Sequence, residues 1–162
     1  MRRTLLILVA LAACERSQQA HDDGRFPLPA GFARVQDKDL GSMPPGSYAY
    51  TEISRMQPDA FLGSIVVAAL GDQRIAINPE FCDATGQGFS RQSGVIVESS
   101  LVVTLPRGPA CQIQGRAPDK DTIRVEYTVL HPAKGPTWGV TCNYDSRDDA
   151  ALRACKALLD NR

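Results

Sequence analysis

From Val95 to Tyr144 apolar residues return at every second position, and beyond Ser146 they return at every third or fourth. Side chains alternate across a strand and repeat every 3.6 residues around a helix, so such a chain ends as strands followed by a helix. Val95, Val97, Leu101, Val103 and Leu105 share one parity, with Glu98, Ser100 and Thr104 on the other, until Pro106-Arg107-Gly108-Pro109 stops the run. Cys111, Ile113 and Gly115 share one face of a short strand, and residues 117–121 turn the chain. Ile123, Val125, Tyr127 and Val129 then alternate with Thr122, Arg124, Glu126 and Thr128, the pattern of a half-buried strand. After a turn at Pro132–Pro136, Trp138, Val140, Cys142 and Tyr144 alternate with Thr137, Gly139, Thr141 and Asn143. Ala151, Leu152, Cys155, Leu158 and Leu159 make one helical stripe. Asp145 or Ser146 is expected to cap that helix, with Asp148 and Asp149 in its first turn, where the helix dipole favours them.

Upstream the pattern is weaker. Residues 31 to 50 are irregular around the Met43-Pro44-Pro45-Gly46 turn, and Tyr48 and Tyr50 lead into a short strand. Residues 56–60 read as a turn or a single helical turn. The run Leu62–Leu70 reads as a strand buried on both faces, with a buried helix as the rival reading. A turn at Gly71-Asp72-Gln73 predicts that Arg74–Ile77 pairs back as a hairpin. Asn78-Pro79-Glu80 reads as a helix start, Asn as N-cap and Pro at the first position, with Gly86 and Gly88 keeping the helix short.

The amino terminus bears on location. Arg2 and Arg3 precede an apolar run from Leu5 to Ala13, the layout of a secretory signal and too short for a membrane span of about 20 residues. Leu11-Ala12-Ala13-Cys14 resembles the lipobox of bacterial lipoproteins at all four positions. The resemblance implies that Cys14 carries a lipid on its thiol, that the chain is cut before it, and that the new amino terminus is acylated with a fatty acid such as palmitate. One acyl chain holds a protein marginally, at roughly 0.8 kcal/mol per buried CH₂, whereas three make release negligible. Glu15, in place of the Asp that resembles an inner-membrane retention signal, points to the outer membrane, with the domain facing the periplasm. The expected organisation is a signal peptide at 1–13, a lipidated end and flexible tether at 14–30, and a single disulfide-bonded domain at 31–162. Phe26-Pro27-Leu28-Pro29 marks the tether's end, and His21 is a solvated tether residue.

With Cys14 lipidated, Cys82, Cys111, Cys142 and Cys155 remain, an even number that in an exported chain implies two disulfides. Of three pairings, the pattern favours Cys82–Cys111 and Cys142–Cys155. Cys142 lies on the apolar parity of the last strand and Cys155 on the apolar stripe of the helix that runs back over it. Cys111 is on an apolar strand face, so its bridge to Cys82 pins a second helix to the sheet. No C-x-x-C occurs and the only histidines are His21 and His131, so no zinc set is expected.

The precursor has 18 basic and 18 acidic residues; without Arg2 and Arg3 the balance is 16 to 18, near −2. That gives no footprint for nucleic acid. Ser90 and Ser93 lie in Gly88-Phe89-Ser90-Arg91-Gln92-Ser93-Gly94, which lacks the G-x-S-x-G spacing of a nucleophile turn. His131 reads as a strand-end residue, Asp145, Asp148 and Asp149 as capping residues rather than a calcium site, and Asp119 and Asp121 as turn residues. The glycines Gly86, Gly88 and Gly94 lack the Lys and Ser/Thr of a phosphate loop. Trp138 has the parity of a core residue. Neither metal nor cofactor is expected.

The resulting expectation is an α/β chain of α+β type: a mostly antiparallel twisted sheet with a C-terminal helix packed and disulfide-stapled on one face. Residues 110 to 161 are loosely similar to the layered sheet-and-helix domains of many envelope lipoproteins. The expected function is a non-enzymatic binding module with an envelope protein partner, in one version an inhibitor or immunity-type protein. A small-ligand carrier and a small envelope hydrolase are the alternatives. The polar row Thr122, Arg124, Glu126 and Thr128, facing away from the apolar parity, offers Arg124 and Glu126 as the partner surface.

Overall fold

The computed structural model describes residues 26–36, 41, 43–53, 63–133, 135–148 and 150–160. The expected signal segment and tether up to residue 25, with Cys14 and His21, and residues 56–60 lie outside them. Seven strands form one antiparallel sheet: β1 (Phe32–Arg34), β2 (Tyr48–Glu52), β3 (Ser64–Gly71), β4 (Ile96–Leu105), β5 (Gly108–Ala117), β6 (Lys120–Leu130) and β7 (Thr137–Asp145). Two helices accompany them, α1 (Pro79–Ser93) and α2 (Ala150–Asp160). Strand order is β1-β2-β3-β7-β6-β5-β4. The chain leaves β3 in the middle of the sheet, crosses through α1 to the far edge, and returns by the meander β4 to β7, which closes against β3. This is the expected α+β architecture.

Each face carries one helix. On one face, α2 packs on β7 and β3, with Ala151, Cys155, Leu158 and Leu159 set against Ile65, Val67, Trp138, Val140 and Cys142. On the other, α1 packs on β4 and β5, with Cys82 against Cys111, Ile113 and Val129. The expected disulfides are present: Cys142–Cys155 ties α2 to β7 and Cys82–Cys111 ties α1 to β5, with Cα separations of 6.3 and 5.4 Å. Gly63 lets α2 approach, because a side chain there would run into Ala151 and the Glu52 carboxylate.

Several local expectations change. Residues 74–77 do not pair back as a hairpin; they lead straight into α1, because the edge that β3 would offer them is already taken by β7 and β2. β3 buries one parity, Ile65 and Val67, and half-buries the other, so it is not enclosed on both faces. Helix α1 has the expected start, with Asn78 accepting from the Phe81 N–H at 2.8 Å and Pro79 at the first position. It runs on through Gly86 and Gly88 for 15 residues, with Gly86 buried against β4, where a Cβ would meet the Ser100 hydroxyl. It ends at Gly94, whose φ of 75° is open to glycine and whose N–H bonds to Ser90 O. Helix α2 starts later than expected: Asp148 accepts from the Ala150 N–H at 3.0 Å, while Asp145 closes β7 and grips Arg147. Asp149 lies outside the described residues.

The core also begins earlier than residue 31. Phe26 is 2 % exposed, its N–H donates to the Tyr48 hydroxyl at 2.7 Å, and its carbonyl accepts from the Tyr50 hydroxyl at 2.8 Å. Its ring meets Trp138 edge-on, with centroids 6.0 Å apart, and Trp138 is buried as its parity implies. Phe26 thus belongs to the folded domain and not to the tether.

Candidate interaction face

Strand β6 sits between β5 and β7, and register decides where its polar row points. Glu126 stands opposite Cys142 on one side and Gln114 on the other; Arg124 stands opposite Tyr144 and Arg116. Opposed residues share a face. The row Arg124–Glu126–Thr128 therefore lies on the face that α2 packs against, and the apolar parity Val125, Tyr127 and Val129 lies under α1.

This overturns half of the expected partner surface. Glu126 is 2 % exposed and Thr128 is buried. Glu126 is thus a core carboxylate, with Gln112 Nε2 donating to its Oε1. Burial pushes its carboxyl above the ordinary range, against the opposing pull of Lys156 on α2 and hydrogen bonds from Gln112 and Gln114. Tyr144, on the neighbouring strand, is raised by burial first and then by the negative charges of Glu126 and Glu98.

Arg124 remains accessible, at the open end of the same face. Its Nη1 reaches both oxygens of Glu98 on β4 at 3.0 Å. Arg116 lies 3.5 Å from Glu98 and 2.6 Å from Asp121. Two arginines and two carboxylates thus form a neutral ladder across β4, β5 and β6. Such pairs are half-exposed and contribute roughly 0–1 kcal/mol each, so the ladder offers directional polar contacts more than it supports the fold. On the same face Leu101, opposite Gln112, is 57 % exposed. The parity expected of Leu101 breaks at Glu98, where β4 shifts register against β5 and every later side chain changes face.

The residues weighed for catalysis have structural engagements. The Ser90 hydroxyl donates to Val95 O at 2.8 Å and that of Ser93 to Phe89 O at 2.6 Å. Thr137, fully buried, donates to Gln73 O at 3.3 Å, so its oxygen accepts from His131 Nδ1 at 2.8 Å. Among the described residues, no three of His, Cys, Asp and Glu come together in a way that could hold a metal ion. A shallow depression of about 500 Å³ lies beside α1, with Phe89, Val95, Ile123 and Val125 as apolar lining and Ser64 and Asn143 as polar lining. No protein-family model matches this chain, and no curated protein matches it.

Proposed function

We propose that this chain is a bacterial envelope lipoprotein, anchored through Cys14, whose domain acts as a non-enzymatic interaction module facing the periplasm from the outer membrane. An inhibitor or immunity-type role is the specialised form. The observation that carries the reading is the way the chain enters the domain. Two tyrosine hydroxyls hold the backbone of Phe26 on both its donor and its acceptor, and Arg107 lies over its ring at 4.4 Å. A lipid on Cys14 would be separated from this clamp by the polar residues 15–25, a tether of about 35 Å when extended. That length lets the domain search for partners at high effective concentration near the membrane. The Arg124–Glu98–Arg116–Asp121 ladder with Leu101 is the surface best suited to a protein partner, since it combines adaptable charge with exposed apolar area.

The depression beside Phe89 and Asn143 favours a second reading, a carrier of a small amphipathic ligand.

Fractionation tests the anchor. The Cys14→Ser protein should leave the membrane fraction and appear in the soluble periplasmic fraction; its retention with membranes would remove the lipoprotein reading.

A further inference from the structure

Strand β4 is the long edge of the sheet. It has ten residues, and among the described residues it pairs only with β5. Natural edges are blunted by proline, lysine, brevity or cover. β4 has no proline and one charge, Glu98, and both Ile96 and Val102 are exposed. Helix α1 stands over the strand but does not close it. Between them runs a groove of about 620 Å³, lined by Asp83, Gly86, Gln87, Ser90 and Arg91 from α1 and by Ile96, Val97 and Ser100 from β4. The helical residues follow i, i+3, i+4, i+7 and i+8, a single stripe facing the strand. The opposite stripe of α1, including Phe81 and Phe89, is spent on packing against the sheet.

We propose that this groove binds an extended peptide segment of a partner protein, added as an eighth strand beside β4. The inference deepens the interaction-module reading and rests on it for the source of the segment. A second copy of the chain does not suit the groove. Its own β4 carries a single charge, Glu98, and no Lys or Arg, so paired edge to edge it would bring no cation to Asp83.

The stripe also states what the segment should contain. Asp83 and Arg91 make no ion pair with another described residue. They are eight residues apart, about 12 Å along the helix, which matches four residues of strand at roughly 13 Å. Even spacing keeps both of the segment's side chains turned towards α1. Gly86 over Ser100 and Ser90 beside Val95 show that α1 runs antiparallel to β4. A segment antiparallel to β4, the more stable pairing, passes Asp83 first and Arg91 second. The recognised pattern is a Lys or Arg followed four residues later by an Asp or Glu.

The test uses the full-length protein in detergent micelles. The probe is a blocked nine-residue peptide of alternating threonine and valine, with lysine at its third position and glutamate at its seventh. Binding should slow hydrogen exchange of the β4 amides. The double variant D83K/R91E should bind about tenfold more weakly, two lost surface pairs and two new repulsions, and should recover with the peptide whose lysine and glutamate are exchanged. Methylating alternate peptide nitrogens should abolish binding on the register that pairs. No binding, binding without protection of β4, or indifference of D83K/R91E to the charge order would each overturn the proposal. The assay needs neither anchor nor native partner, so its failure is distinguishable from failure of the lipoprotein reading.

Discussion

Glu126 shows how one residue can mislead when a strand is read alone. Its neighbours in sequence are apolar, so alternation places it outside, yet the structure puts it under α2 beside Cys142 and Gln112. A buried carboxylate is tolerated because amide side chains on β5 satisfy it and Lys156 lies near, but burial still outweighs both. The raised carboxyl makes a pH prediction with a definite sign. At low pH the group is neutral in folded and unfolded chains alike and costs nothing. As pH rises past the ordinary carboxyl range the unfolded chain ionises first, so stability falls until the folded carboxyl also ionises. Glu126→Gln keeps an acceptor for Gln112 and removes the charge. In urea unfolding its stability relative to the natural chain should increase from pH 4 to pH 7. A constant difference across that range would show that Glu126 ionises inside as it does outside.

At the scale of elements, the meander β4–β7, helix α2 and both disulfides were legible, because each depends on spacing within one or two neighbouring segments. Cys142 and Cys155 each lie on the apolar side of their own element and are 13 residues apart, so only one packing joins them. What could not be read were relations between elements. The apolar parities of β6 and β7 face opposite sides of the sheet, a consequence of register, which period two leaves undetermined. Residues 74–77 have a hairpin's local signal but no free edge to pair with. The prolines after Phe26 look like the end of a linker, and nothing local signals otherwise, because the two tyrosines that hold Phe26 are more than 20 residues away. The two bridges should differ in weight. Loop entropy assigns about 3 kcal/mol to the 13-residue separation and about 3.6 kcal/mol to the 29-residue one. Paired alanine substitutions should lower the unfolding free energy by those amounts, with loss of Cys82–Cys111 the more damaging. The reverse order would mean that α1 holds its place without its bridge.

Seen whole, the described residues make a two-sided sheet with a separately stapled helix on each face, and the charge ladder, Leu101 and the β4 edge are accessible on it. All three lie on β6, β5 and β4, whereas Phe26 is held between Tyr48 and Tyr50 of β2 and Arg107 of the β4–β5 turn. The most direct measurement is site-specific photo-crosslinking in intact cells, with the crosslinking residue at Leu101 in the full-length protein and, as a control, at the exposed Leu70 on β3. Capture of one protein in 1:1 ratio from Leu101, and not from Leu70, is the expected result. Equal capture from both positions, or none from Leu101, would contradict an interaction module that works through this end of the sheet.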